Sequence, residues 1–321
     1  MLNKIDYKLL KDNEFELSKN LISKFKKNIP FNLKSIDWEY FLNPFGKTKI
    51  FLALYENNPV GMLAAIPLKF VNNEKIFNGF RIQDVITDID FIRNQIKIGN
   101  KIPKKNGVGI FSNLILKLNE YLEANSEINI GFANKNALPY WVRNNWQAIS
   151  EFPLINKELD KDYNFLCKYN EIKEFNNTHE KIFKENISNN IDIMWTKEFS
   201  NWRYFLNPRS IYKVFEIKLE NSLEGYVVLK EYFQDNKKIG HICQIVCKNN
   251  LYEDVIKFSI NFFFNRSIKT LSMWYMNDDN LFISKFGFKK EFIKKNKFIY
   301  KGKKKLFKSD WNISMSYSDI Y

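Results

Sequence analysis

The residues of this chain best placed for chemistry are 104–111, Lys-Lys-Asn-Gly-Val-Gly-Ile-Phe. Gly107 and Gly109 stand one residue apart at the opening of an amphipathic run. Glycine lets the backbone approach a ligand closely and take unusual φ/ψ angles. The first amides of a helix have no partner inside it and point outward. Together with the helix dipole they form a cradle for phosphate. Lys104 and Lys105 would add positive charge at its rim, and the backbone of Gly107, Val108, Gly109, Ile110 and Phe111 would hold the anion. A plain turn with a helix cap has the same sequence, so the pattern needs its context.

Other chemistry is sparse. Three cysteines (Cys167, Cys243, Cys247) and two histidines (His179, His241) are present. Cys243 and Cys247 share a strand-like stretch, and their spacing puts both on one face as core residues rather than as a disulfide. No His, Cys and carboxylate set has ligand spacing, so no metal is expected. The chain has 50 Lys+Arg against 36 Asp+Glu, a net charge of +14. That suits a polyanionic partner. It also fits AT-rich codons, because Lys, Asn, Ile and Phe dominate together. Residues 1–13 are charged and lack the apolar core of a secretory signal. The longest apolar run, 255–264, is about half of what a membrane span needs. The expectation is a reduced, soluble, cytoplasmic protein with no membrane span.

The elements that must position the loop are written twice. The heptad Trp38-x-Tyr40-Phe41-Leu42-Asn43-Pro44 returns 164 residues later as Trp202-x-Tyr204-Phe205-Leu206-Asn207-Pro208. Gly61 and Gly225 keep the same offset. A period this long means two copies of one domain, not a solenoid. The first half predicts helices over 14–25 and 35–42, strands over 50–54, 60–70 and 76–87, and a polar loop over 90–106. A helix over 107–123 follows, with Ile110, Phe111, Leu114, Ile115, Leu118 and Leu122 on a 3.6-residue stripe. A strand over 127–132, a short helix over 136–144 and a strand opening at Trp146 complete it. The second half repeats the order, ending on a strand over 288–300. The linker is expected near 160–174, giving domains 1–165 and 166–321.

A glycine loop after three antiparallel strands resembles the GNAT acyltransferases. Their pyrophosphate loop, Arg/Gln-x-x-Gly-x-Gly/Ala, is similar to Lys104-x-x-Gly107-x-Gly109 here, with Lys in the first place. Their Asp-Val-x-Thr on the preceding strand is matched by Asp84-Val85-Ile86-Thr87. Asn134-Lys135-Asn136-Ala137 opens their helix motif; Asn145-Trp146 stands where Gly-Phe closes it, and Trp141 falls on the usual tyrosine, beside Tyr140. The second half closes with Gly287-Phe288.

The resemblance implies a mixed α/β fold of two tandem GNAT-like domains, each a mostly antiparallel sheet flanked by helices. It implies acetyl-CoA as acyl donor in the first domain. Val85, Ile86 and Thr87 would pair with the pantetheine arm, Asn136 would bond it, and residues 104–111 would hold the pyrophosphate. Asp84 would take the proton of the acceptor amine, with Asp88 and Asp90 as alternatives, and Tyr140 would protonate the leaving thiolate. Asp84 has a second reading as a local cap or pair, and Tyr140 as packing. The second half has Lys248-Asn249-Asn250 in place of the glycine loop and Gln244 in place of Asp84. It is expected to bind no cofactor. The acceptor implied is a small-molecule amine, such as an amino sugar. The rival reading is a Fem-type aminoacyltransferase using aminoacyl-tRNA, which has no need of the glycine loop. A non-catalytic binding protein on a decayed scaffold is a third.

Overall fold

A computed structural model describes residues 5–25, 33–97, 109–149, 153–234, 237–276, 280–292 and 296–318. The first half contains β1 (Ile5–Leu9), α1 (Glu16–Phe25), α2 (Leu33–Tyr40), β2 (Lys49–Tyr55), β3 (Asn58–Val71) and β4 (Ile76–Thr87). It continues with α3 (Ile89–Lys97), α4 (Ile110–Asn125), β5 (Ile128–Asn134), α5 (Leu138–Arg143), β6 (Gln147–Ala148) and β7 (Pro153–Glu158). The second half contains β8 (Lys168–Ile172), α6 (Asn177–Glu185), β9 (Asp192–Ile193), α7 (Lys197–Tyr204), β10 (Tyr212–Leu219), β11 (Ser222–Gln234) and β12 (Lys237–Cys247). It ends with α8 (Tyr252–Phe264), β13 (Thr270–Trp274), α9 (Asn280–Phe286), β14 (Lys289–Phe292) and β15 (Asn296–Gly302).

The sequence repeat is a structural repeat. The helices α2 and α7 are both eight residues long and end on Tyr40 and Tyr204. Trp38 and Trp202 are both buried, while Leu42 and Leu206 are both exposed. After each helix two amides converge on one carbonyl, those of Phe41 and Leu42 on Asp37 and those of Phe205 and Leu206 on Asn201. The hairpins that follow turn on Glu56-Asn57 and Glu220-Asn221, all four at positive φ. Two successive left-handed residues give the turn whose twist matches that of the strands. Each hairpin carries an irregularity at the same place, Ala53/Leu54 and Ile217/Lys218. Gly61 and Gly225 then meet close neighbours. A Cβ on Gly61 would lie 3.0 Å from Ile110 of α4, and one on Gly225 would lie 2.3 Å from the Val246 carbonyl oxygen.

Two features depart from the sequence expectation. Residues 89–97, expected as loop, form α3. Asp88 accepts the Phe91 N–H at 3.1 Å as its cap, and Phe91 and Ile92 pack on the core. Residues 5–9, read only as charged, form an edge strand paired with β2 from Ile5↔Tyr55 to Leu9↔Phe51.

The last strands are exchanged between the halves. One sheet runs β1-β2-β3-β4-β5-β15-β6, the other β14-β7-β13-β12-β11-β10-β8. β15 pairs antiparallel with β5, from Asn296↔Asn134 to Gly302↔Ile128. β7 pairs antiparallel with β13, from Thr270↔Glu158 to Trp274↔Leu154. The chain therefore forms two units from discontinuous segments. The first holds 1–69, 77–149 and 295–305, the second 70–76, 150–294 and 306–321. Each is a mixed sheet flanked by helices. In the first, α4 buries Ile110, Leu114, Ile115, Leu118 and Leu122 against Phe51, Leu63, Phe80 and Ile82. Each such side chain contributes roughly 1.5–3 kcal/mol on burial. In the second, Val255, Ile256, Ile260 and Phe263 of α8 do the same against Val227, Leu229 and Ile242. Among the described residues, no helix is long and apolar enough to cross a membrane, and no cluster of three or more His, Cys, Asp or Glu could hold a metal.

Candidate active site

In the first unit β4 and β5 run parallel from Gly79↔Ile128 to Ile82↔Gly131, and there the pairing stops. β4 continues to Thr87, while β5 continues to Asn134 paired with β15 on its other side. A slot opens between them. Asp84 marks the opening. It takes φ 51, a left-handed angle costing a non-glycine residue about 1 kcal/mol. The Tyr40 hydroxyl donates a hydrogen bond to its carboxylate. Further along, the Asp88 N–H bonds the Val60 carbonyl of β3 at 2.9 Å. The Ile86 carbonyl also faces β3, 3.4 Å from a Cβ built on Gly61. Strand backbone groups alternate in direction. Those of Val85 and Thr87 therefore turn away from β3 toward the slot. Of the three residues expected there, Ile86 is the one whose side chain is buried and whose carbonyl looks the other way.

The helix mouth lies at Gly109, the N-cap of α4, in extended conformation with φ −73 and no side-chain cap. The first turn of α4 carries no carboxylate. A Cβ on Gly109 would meet nothing within 4 Å, and its φ suits any residue. Among the described residues, neither packing nor backbone angle requires glycine there. Lys104, Lys105, Gly107 and Val108 lie outside the described residues. Ile110 is buried beneath the mouth and Phe111 is half-buried. The Phe111 ring lies 5.2 Å from that of Tyr140 and 5.7 Å from that of Trp141.

The helix α5 sorts its two aromatics. Asn134 starts it by accepting the N–H groups of Asn136 and Ala137 at 3.0 and 2.9 Å. Asn136 is exposed. Trp141, on the counted tyrosine position, is buried edge-on to Trp146 at 4.8 Å. Tyr140 is 42% exposed. The structure thus brings Tyr140, Phe111 and the α4 start together. Asp88 is taken by packing, paired with Lys24 at 2.6 Å and capping α3. Asp90 sits exposed in the first turn of α3.

The second unit repeats the slot but not its mouth. β12 and β13 pair in parallel only from Gly240↔Leu271 to Ile242↔Met273. Cys243 is then an extra residue facing β11, where Leu229 pairs Ile242 and Val228 pairs Gln244. Beyond it lies a cavity of about 700 Å³ lined by Gln244, Val246, Tyr275, Asn186, Asn312 and Ser314. Tyr204, the counterpart of Tyr40, donates to Gln244 Oε1 at 2.5 Å and lies 2.7 Å from Ser316 Oγ. Ser316 Oγ in turn donates to the Cys243 carbonyl at 3.1 Å. The 315–317 segment thus lies over the bulge. At the mouth, Glu253 and Asp254 occupy the first turn of α8. Lys248 is paired with Glu224 at 2.6 Å, and Lys285 with Glu253 at 2.7 Å. Carboxylates at a helix start oppose a bound phosphate.

Two solved structures resemble this chain in fold. One is a GCN5-related N-acetyltransferase from Anabaena variabilis, with a TM-score of 0.65 at 10% identity, covering 92% of this chain and 72% of that one. The other is a protein of Enterococcus faecalis described as a probable N-acyltransferase, with the same score, identity and coverage. No family model matches the sequence, and no curated protein matches it. At this identity the likeness establishes the fold, and the fold is that of the GNAT acyltransferases.

Proposed function

We propose that this chain is an N-acyltransferase that moves an acetyl group from acetyl-CoA to a small-molecule amine, such as an amino sugar, in the slot of its first unit. The observation that carries this reading is the open edge of β4 beside a helix start with no carboxylate. The residues fit the donor. Among the described residues nothing lies within 4 Å of a Cβ on Gly109, the place where a side chain would obstruct a pyrophosphate. Lys104, Lys105, Gly107, Val108, Gly109, Ile110 and Phe111 would hold that group, by uncapped amides and by charge. The backbone of Val85 and Thr87 would pair with the amide-bearing arm, as an added strand does. Asn136, exposed at the start of α5, would bond it from the other wall.

The chain's own groups then have defined tasks. The acceptor amine attacks in its neutral form, and Asp84 takes the proton that its nitrogen sheds as the C–N bond forms and passes it to solvent. As the C–S bond breaks, Tyr140 gives its proton to the sulfur and recovers one from solvent. A placed base of this kind contributes roughly 10²–10⁴ in rate. Holding the two reactants together contributes independently of either residue. The second unit would bind no acyl donor, because Glu253 and Asp254 occupy its helix start and Gln244 replaces the carboxylate.

Calorimetric titration with acetyl-CoA tests the reading. One site per chain is expected. No binding at millimolar donor would overturn it, and tRNA retained through purification would favour the aminoacyl-transfer rival.

A further inference from the structure

Acyl transfer as proposed gives Asp84 a task but leaves Tyr40 without one. Tyr40 is the last residue of α2 and its ring is buried. Its hydroxyl donates to a carboxylate 44 residues further on, across the unit. The second unit supplies an internal comparison. Tyr204 ends α7, and its hydroxyl makes the same bond to Gln244. The tyrosine is thus retained in both units, while the titratable partner is retained only in the first, whose helix α4 has no carboxylate in its first turn. A hydrogen bond donated to a carboxylate favours its ionised form and fixes its direction.

We propose that Tyr40 is a positioning residue for Asp84. It aims the carboxylate and keeps it ionised, so that Asp84 is ready to take the amine proton. This rests on the acyl-transfer reading above. Several charged groups surround the pair. On α2, Glu39 is bonded to Gln83 and lies 4.0 Å from Arg81 Nη2. From α1, Lys24 is paired with Asp88 at 2.6 Å. Among the described residues, Arg81 and Lys24 are thus each paired with an anion. The Tyr40 hydroxyl, as a donor, favours the ionised carboxylate.

The test compares wild type, Tyr40→Phe and Tyr204→Phe. The phenylalanine keeps the ring that packs at 5.6 Å on Phe15, so the fold is retained. The first readout is the carboxyl carbon resonance of Asp84 in protein labelled with ¹³C-aspartate, identified by its loss in Asp84→Asn and followed against pH. Its midpoint should rise by about one unit in Tyr40→Phe and stay put in Tyr204→Phe. The second readout is kinetic. In Tyr40→Phe, kcat should fall about tenfold with KM for acetyl-CoA unchanged, and the acid limb of the rate profile should rise by about one unit. An unmoved Asp84 midpoint in Tyr40→Phe would overturn the proposal. So would an equal loss of kcat in Tyr204→Phe. A shifted midpoint in a protein that acetylates no amine would leave the Tyr40–Asp84 pair standing and remove its use in catalysis.

Discussion

Asn145 adopts the backbone conformation that Gly287 adopts, φ 64 against φ 68. Each ends a short helix in the same way. The amides of Asn145 and Trp146 return to Val142 and Trp141, and those of Gly287 and Phe288 return to Ser284 and Ile283. The sequence reads Asn-Trp as a departure from Gly-Phe, yet the turn is kept. Asn is the residue that best tolerates this left-handed position after glycine. Asn145→Gly should therefore be neutral or slightly stabilising, and Asn145→Ala should cost about 1 kcal/mol, read from denaturant midpoints. Equal midpoints for the two would remove the left-handed turn as the reason for Asn.

Gly109 and Gly225 should respond in opposite ways to the same substitution. Gly109→Ala meets no described residue within 4 Å and should leave stability within about 0.5 kcal/mol. Gly225→Ala drives a Cβ to 2.3 Å from the Val246 carbonyl and should cost about 2–3 kcal/mol. Thermal melts of the two variants decide it.

Because the φ of Gly109 suits any residue and no described residue lies within 4 Å of its Cβ position, Gly109→Asp is a probe of the donor site. It should fold with a normal melt and lose acetyl-CoA binding, since its carboxylate would face the pyrophosphate. Binding unchanged in calorimetry would take the α4 start out of the site.

Asp84→Asn should lower the acyl-transfer rate by roughly 10²–10⁴ while acetyl-CoA affinity stays level. Tyr140→Phe should cost less, because a thiolate leaves tolerably near neutral pH. A wild-type rate in both variants would leave catalysis to positioning alone.

His241 should make the second unit acid-labile. Burial, helped by the nearby Lys230 charge, pushes its imidazole down to about 3. The neutral ring is 3% exposed, with Nδ1 2.5 Å from Ser272 Oγ. An unfolded histidine titrates near 6.5. Between that pH and about 3 the unfolded chain holds the extra proton. Stability contributed by this group is thus complete above 6.5 and is lost as pH falls, by about 1.4 kcal/mol per unit. Denaturation midpoints of His241→Gln measured from pH 7 to 4 should show a shallower fall than wild type.

How much of this was legible beforehand follows from the range of the interactions. The repeat, the paired hairpins, the α4 stripe and the left-handed close of α5 and α9 arise from contacts a few residues apart. They depend on glycine and asparagine chemistry, on turn twist and on apolar spacing, all of which the sequence carries locally. Even α3 was within reach, since Asp88 and the Phe91/Ile92 pair are local signals. The exchange of β7 and β15 was not. A strand's pattern states which face is buried but not which of two like sheets receives it, and here the two halves offer nearly the same edge. The meeting of Tyr40 with Asp84 is of the same kind. Each residue stood in a recognisable motif, but only the packing of α2 on β4 brought hydroxyl to carboxylate. The sequence determined that one domain is written twice and that only the first copy carries a carboxylate, Asp84, where the second has Gln244. Tertiary structure decided what that carboxylate touches, because a hydrogen bond across 44 residues depends on the register of the whole sheet.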